Sequence, residues 1–242
     1  MLPFAGASAL PFAPLLPPRG DPLRERFVQP TLPGHGDRLN EPLLTTIPAM
    51  VDDIERSVGV GARDVVYGHS MGALLALGLV RRQRARGHPL PRALIVSGMR
   101  APGTLASRAR HALPTPALKV ELARLGGTPL AVLDDPDVFA FFEPQVRADF
   151  RAVETYAHRA EPALDIPITV IIGTDDEADF ASAAAWQHET EHPLTLETMP
   201  GGHFFIFRNA DAMRERLLSF LAAPSAGPVT RGDTPHTSAV AG

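Results

Sequence analysis

No cysteine occurs in the 242 residues. Disulfides, thiolate metal sites and cysteine nucleophiles are therefore excluded, while the redox compartment stays open. Lysine is almost as scarce: Lys119 is the only one, and the other fixed cations are arginines. Positive charge does not dominate either, since the formal net charge of −4 argues against bulk attraction to nucleic acid or an anionic membrane. Long apolar runs are missing too. The longest candidate span, Met71 to Val80, has ten residues, and crossing a bilayer takes about 20. The apolar start, Met1 to Pro18, lacks the positive head of a secretion signal, its first cation being Arg19. Prolines at 3, 11, 14, 17 and 18 interrupt any helix there. The expectation is a soluble, cytoplasmic protein.

What is present suits one sizeable core: 45% of residues are hydrophobic and 21% charged. Short apolar runs that end at glycine mark buried strands at Val65–Tyr67, Ala93–Ser97 and Ile168–Ile172, with a fourth run at Leu194–Met199. Helical patterns lie between them at Ile47–Ser57, Met71–Arg86, Ala181–His188 and Ala210–Leu221. Alternation of this kind predicts an α/β protein with a mostly parallel sheet flanked by helices. Between Gly98 and Ile166 only helical patterns occur, Leu118–Arg124 and Val138–Tyr156, broken at Gly126-Gly127-Thr128-Pro129. This stretch, about residues 100–160, reads as a helical lid inserted over the site. One catalytic domain is expected over residues 1–223, followed by a disordered Pro-, Ser- and Gly-rich tail at 224–242.

Gly68-His69-Ser70-Met71-Gly72 fits the G-x-S-x-G pattern, with a strand before it and a helix after it. Such an elbow holds a serine hydroxyl clear of the sheet on a tight turn that side chains at 68 and 72 would crowd. The Met71 N–H, at the helix start, is aimed at a developing oxyanion. A serine needs a general base, and His203 in Gly201-Gly202-His203-Phe204, just past the last strand, is the best placed of nine histidines. His69 reads as packed behind the elbow and His35 as a loop residue near the entrance. The orienting acid is expected after the third strand, where Asp176 is favoured over its competitor Asp175 and over Asp179. The bland alternative is that these aspartates only cap the next helix. A second oxyanion donor is expected from Pro3-Phe4-Ala5-Gly6-Ala7, at the Ala5 N–H. The chain order Ser70, Asp176, His203 is that of α/β-hydrolases.

These residues, from about Leu2 to Leu221, resemble the stand-alone type II thioesterases of polyketide and nonribosomal peptide assembly lines. Leu2–Ser8 is similar to their oxyanion loop, with Phe4 where histidine is usual. Leu32-Pro33-Gly34-His35-Gly36-Asp37-Arg38-Leu39 resembles their P-G-R-x-x-R-L segment, with His35 in place of the first arginine. Val96-Ser97-Gly98 with Arg100-Ala101-Pro102, Leu125–Pro129, Arg147–Arg151 with Glu154–Tyr156, and Pro200–Phe205 resemble segments that general hydrolases lack. The family carries a longer stretch ahead of the loop, including most of a strand. A misassigned start is expected here, since a missing central strand would expose apolar surface and unpaired backbone and endanger folding.

The resemblance implies hydrolysis of acyl groups from the phosphopantetheine thiol of acyl or peptidyl carrier proteins, through an acyl-enzyme on Ser70. It implies no metal and no bound cofactor, phosphopantetheine being part of the substrate. A general carboxylesterase and a non-catalytic binding protein on the same scaffold are the alternatives. Arg81-Arg82-Gln83-Arg84-Ala85-Arg86 reads either as a solvated helix end or as a carrier-docking patch. Phe139, Phe141, Phe142 and Phe150 read either as an acyl pocket or as the glue of the cap.

Overall fold

The computed structural model describes residues 1–7, 10–105 and 108–222; the expected tail at 224–242 lies outside them. Four strands, β1 (Val65–His69), β2 (Ala93–Ser97), β3 (Ile168–Gly173) and β4 (Thr195–Met199), form a parallel sheet in the order β1-β2-β3-β4. Register is set by pairs such as Gly68 with Val96, Val96 with Val170, and Val170 with Leu196. Beside β1, Leu2 makes a single parallel bridge to Gly68, its N–H donating to the Tyr67 carbonyl at 2.7 Å. The helices are α1 (Ile47–Ser57), α2 (Met71–Ala85), α3 (Thr115–Leu125), α4 (Leu130–Asp134), α5 (Pro136–Glu154), α6 (Phe180–Ala184), α7 (Phe205–Arg208) and α8 (Ala210–Ala222).

Strand alternation divides the core between the two faces of the sheet. Leu94, Val96, Val170 and Ile172 pack with Met50 and Ile54 of α1, Leu74 of α2 and Trp186. Tyr67, Ile95 and Ile171 face the other way, against Phe12, Phe205, Met213 and Leu217. Helix α2 is buried along nearly its whole length, which is why its sequence is apolar on every side up to Leu79 and Val80. A third, smaller core lies in the insertion between β2 and β3, where Leu118, Leu122, Leu133, Phe139, Val146 and Phe150 pack together and against Ala5.

Helix α1 and strand β2 have the bounds that the sequence pattern predicts. Thr46 caps α1, accepting from the Ala49 N–H, and a proline stands in the first turn. The pattern over Ala181–His188 resolves into two pieces, α6 and a 3₁₀ turn at Ala185–Glu189 that seats the Trp186 indole on the Met99 carbonyl at 3.0 Å. The break at Gly126–Pro129 is followed by α4, which the pattern alone does not show. Helix α5 begins two residues before the expected Val138, at Pro136, because Asp135 accepts from the Asp137 and Val138 N–H groups. Among the described residues, no helix is long and apolar enough to cross a membrane.

The arginine run at the end of α2 is neither a free patch nor a purely solvated end. Arg81 is buried and pairs with buried Glu189, Arg82 with Asp52 and Glu55, Arg84 with Glu161, and Arg86 with Glu55. Each guanidinium already holds a carboxylate of another segment, so the cluster braces the fold. Removing Arg81 leaves buried Glu189, among the described residues, with His158 at 3.4 Å as its remaining ion-pair partner. Arg81→Ala is expected to cost about 3–5 kcal/mol in urea unfolding, the usual result of orphaning one half of a buried pair. The half-exposed Arg86→Ala is expected to cost less than about 1 kcal/mol.

Candidate active site

Ser70 joins β1 to α2 with φ 54° and ψ −122°, a backbone conformation that costs a non-glycine residue strain. Its N–H donates to the Ser97 carbonyl at 2.8 Å, and its own carbonyl accepts from Ala73 at 2.9 Å, so the bend is pinned to β2 and α2. Both flanking glycines are required by space. A Cβ on Gly68 would lie 2.0 Å from the Gly72 carbonyl oxygen, and one on Gly72 would lie 2.2 Å from that of Leu2. The absence of side chains at 68 and 72 therefore does two things. It closes the bend, and it lets the Leu2–Ala7 segment run against the start of α2.

His203 follows β4, and its Nε2 lies 2.9 Å from Ser70 Oγ. Its Nδ1 lies 3.0 Å from Asp176 Oδ1. A carboxylate only accepts, so the hydrogen sits on Nδ1 and the Nε2 lone pair faces the serine hydroxyl. Asp176 is held in turn by the Glu177 N–H, which donates to Oδ1 at 2.7 Å. Ser70, His203 and Asp176 are thus brought together as expected. Asp175 is turned to the Thr174 hydroxyl instead, at 3.3 Å, and Asp179 is the residue that caps α6, accepting from the Ser182 N–H.

His69 packs behind the elbow, fully buried, with Nδ1 2.9 Å from Ser97 Oγ and its ring centroid 5.2 Å from that of His203. Burial, and then the charge that His203 can carry, push its pKa well below the ordinary histidine value. A second positive ring beside His203 is therefore avoided at neutral pH. Phe4 completes this packing edge-on to His69 and Phe204, at 6.0 and 5.0 Å between centroids.

The Phe4–Ala7 segment is a tight turn closed by Ala7 N–H to the Phe4 carbonyl at 3.1 Å, with Gly6 at φ 74° in the third position. Among the described residues neither the Ala5 N–H nor the Met71 N–H has an acceptor, and Ala5 lies with Ser70 and His203 on the walls of two adjoining cavities. The larger, about 390 Å³, is apolar, walled by Leu122, Leu125, Phe142, Phe150, Phe204 and Phe207. The smaller, about 100 Å³, is lined by Arg100, Arg108, Arg110 and Glu177 beside Asp176. The phenylalanines of α5 therefore divide. Phe142 and Phe150 reach the cavity, Phe139 is buried in the insertion core, and Phe141 is exposed.

Glu177 gathers Arg108 and Arg110, each at 2.8 Å, and Arg124. Burial opposes its charge, but Arg110, Arg124 and Arg108 together outweigh that and hold its carboxyl down to about 2. His35 stands in a loop, and the structure adds that it is buried, with Nε2 3.0 Å from Asp149 of α5. Asp149 lies outside the sequence expectations, although its signal is in the sequence: in the i, i+3, i+4, i+7 row of Val146, Asp149, Phe150 and Val153, a carboxylate stands on an apolar face. Among the described residues, no cluster of three or more His, Asp or Glu side chains is arranged to hold a metal ion.

A family model for the thioesterase domain matches residues 1–223. The chain is 34% identical over 199 residues to a probable cadicidin biosynthesis thioesterase of Streptomyces griseus, a match covering 81% of this chain but only 55% of that protein's length. Among solved structures it is similar to the RedJ thioesterase from the prodiginine pathway of Streptomyces coelicolor, with a TM-score of 0.78 and 33% identity over 90% of this chain and 83% of that one. It is also similar to BorB, the type II thioesterase of the borrelidin biosynthetic cluster, with a TM-score of 0.77 and 32% identity over 91% of this chain and 90% of that one.

Because His69 is neutral in the folded state and ordinary when unfolded, its contribution to stability is present above the ordinary histidine pKa and is lost as pH falls below it. The loss has a limiting slope of about 1.4 kcal/mol per pH unit. His69→Gln is expected to flatten the fall of melting temperature between about pH 6.5 and 5 relative to the parent protein. Equal slopes would contradict a buried neutral ring.

Proposed function

The chain belongs to the thioesterase domain family, and on that footing we propose that it is a type II thioesterase that removes acyl groups from the phosphopantetheine arms of acyl or peptidyl carrier proteins in polyketide or nonribosomal peptide synthesis. The observation that carries the reading is the unbroken hydrogen-bond line from Ser70 Oγ through His203 to Asp176. Ser70, His203 and Asp176 act as the catalytic residues, and the Ala5 and Met71 N–H groups as the oxyanion hole. As Ser70 Oγ bonds to the thioester carbonyl carbon, its proton passes to His203 Nε2 and the carbonyl electrons move onto the oxygen between the two amides. Asp176 stabilises the imidazolium so formed. Collapse breaks the carbon–sulfur bond, and His203 returns the proton to the departing pantetheine thiol. Water then loses a proton to the same nitrogen as it attacks the acyl-Ser70 carbonyl carbon; collapse breaks the bond to Ser70 Oγ, His203 returns the proton to that oxygen, and the carboxylic acid is released. No metal or resident cofactor enters; phosphopantetheine arrives with the substrate.

The two cavities support an orientation for that substrate. Both open onto Ser70 and His203. The apolar one suits an acyl chain, because burying it there removes hydrocarbon from water at about 25 cal/mol per Å². The arginine-lined one suits the polar arm, whose phosphate carries negative charge. In this reading the helical insertion is a lid that separates the two. Carrier recognition falls to the mouth near Arg100, which among the described residues is bonded to the Glu177 carbonyl and not to a carboxylate, rather than to the paired arginines of α2.

Ser70→Ala is expected to abolish turnover with melting temperature unchanged. Asp176→Asn is expected to lower kcat by about 10⁴-fold, the effect of presenting the wrong histidine tautomer, whereas Asp175→Asn should stay within a few-fold of the parent. The reverse ranking would move the acid to Asp175. Turnover of an acylated carrier protein compared with an aryl ester decides the substrate class. Hydrolysis of the ester alone would make the protein a general carboxylesterase, and no fluorophosphonate labelling of Ser70 in folded protein would make it a binding protein.

A further inference from the structure

Asp149 is a fully buried carboxylate that takes no part in the proton relay. Its Oδ2 accepts from the Gly6 N–H at 2.8 Å and faces His35 Nε2 at 3.0 Å, while Oδ1 is buried without a partner among the described residues. His35 is 2% exposed, and its Nδ1 lies 3.0 Å from the Pro33 carbonyl. A carbonyl can only accept, so Nδ1 carries a hydrogen; Asp149 Oδ2 already accepts, so the contact with Nε2 needs a proton as well. An imidazolium paired with a carboxylate satisfies every contact. Burial works against charge on His35, but the hydrogen bond and charge of Asp149, with the Pro33 carbonyl, outweigh it and raise its pKa. Among the described residues, Asp149 is the one charged side chain acting on the ring, Arg38 of the same loop being taken up by Glu41 and Asp53.

Gly6 immediately follows Ala5 in the Phe4–Ala7 turn, so whatever holds the Gly6 amide also sets the peptide plane next to the Ala5 amide. The contact is close on the lid side too: a Cβ at Gly6 would lie 2.9 Å from the Phe142 ring. We propose that Asp149 and His35 are positioning residues for the oxyanion hole. The carboxylate of α5 clamps the turn through Gly6, and the His35 proton clamps the carboxylate. This rests on the thioesterase mechanism above and adds to it a dependence that the serine relay does not have. The relay alone requires a neutral His203 and so fails only on the acid side. When pH rises through the raised pKa of His35, its Nε2 lone pair comes to face Asp149 Oδ2, the contact turns repulsive and the turn is released. An alkaline limb in kcat is the signature.

The test measures kcat and KM for a short acyl-pantetheine thioester across neutral and alkaline pH, with active enzyme counted by fluorophosphonate titration of Ser70. Asp149→Ala is expected to lower kcat by about 10–100-fold with KM little changed, less than the 10²–10³ of losing a donor outright because the amide is loosened rather than removed. Asp149→Asn, whose amide oxygen can still accept from Gly6 but which no longer keeps a proton on His35, should stay slow at every pH and lack the alkaline limb; His35→Gln, whose amide N–H can still donate to Asp149, should keep most of kcat and lack the limb as well. If Asp149→Ala does not fold, the limb in the Asn and Gln variants decides alone. Unchanged kcat per titrated site in Asp149→Ala overturns the proposal, as does an alkaline limb that survives in His35→Gln. A parent enzyme that titrates with fluorophosphonate but hydrolyses no thioester overturns the functional reading instead.

Discussion

The backbone bend at Ser70 is the constraint on which the rest depends. A residue with a side chain sits at φ 54° there, at a cost of about 1–3 kcal/mol. The bend persists because its surroundings leave no cheaper path. β2 takes the Ser70 N–H, Gly68 and Gly72 touch where side chains would collide, and α2 is locked by burial of Met71, Ala73, Leu74 and Leu75. The strain is therefore borne by the core, and what it yields is a hydroxyl that points away from the sheet and onto His203. The strands end at one level, so residues from β1, β3 and β4 meet there although they are far apart in the chain. Parallel topology makes that possible: every strand delivers its C-terminal loop to the same edge.

The parts of this arrangement legible in the sequence are those whose physics is local. The elbow needs two glycines at fixed spacing, and α1 carries its cap and proline in sequence. The strands are short apolar runs closed by glycine, and the acid and base follow at strand ends. What escaped depends on partners distant in the chain. His35 looks like a loop histidine until Asp149, over a hundred residues away, is seen against it. The arginine run of α2 looks like a solvated end until Glu189, Glu161, Asp52 and Glu55 are folded onto it. Helix α4 is too short to show a period, and α6 gives way to a 3₁₀ turn because Trp186 must reach a carbonyl of the Met99 segment. Periodicity cannot report such demands, since they arise only once tertiary contacts exist.

Charge in this protein is used mostly for assembly. With a single lysine, nearly every cation is a guanidinium, and a planar fork can hold two acceptors at once. Arg38 joins Glu41 to Asp53, Arg84 reaches the backbone of Pro162 and Ala163 as well as Glu161, and Arg110 bridges Glu121 and Glu177. The last of these lies beside the acid of the relay. Glu177 stays ionised under three arginines, and its own N–H fixes Asp176. The electrostatic brace of the insertion and the orientation of Asp176, the proposed acid, thus share one residue.

A second sharing of the same kind occurs across the site, and together the two explain why the insertion has a core of its own yet is not independent. Leu118, Leu122, Phe139 and Phe150 would suffice to hold its helices to one another. Packing on Ala5, and burial of Ala152 of α5 in the main core, seat it on the sheet. Polar contacts add a directional attachment at both flanks of Ser70: Arg110 and Arg124 on Glu177 at one side, Asp149 on Gly6 at the other. Each contact ends on a residue adjacent to one that the proposed reaction uses, Asp176 and Ala5. Hydrogen bonds and ion pairs are directional where apolar packing is not, so lid placement through them carries orientation to the reacting groups. Displacing the insertion while keeping its core intact would therefore disturb Asp176 and the Phe4–Ala7 turn together, so under the proposed mechanism its position is a condition of catalysis rather than a cover over it.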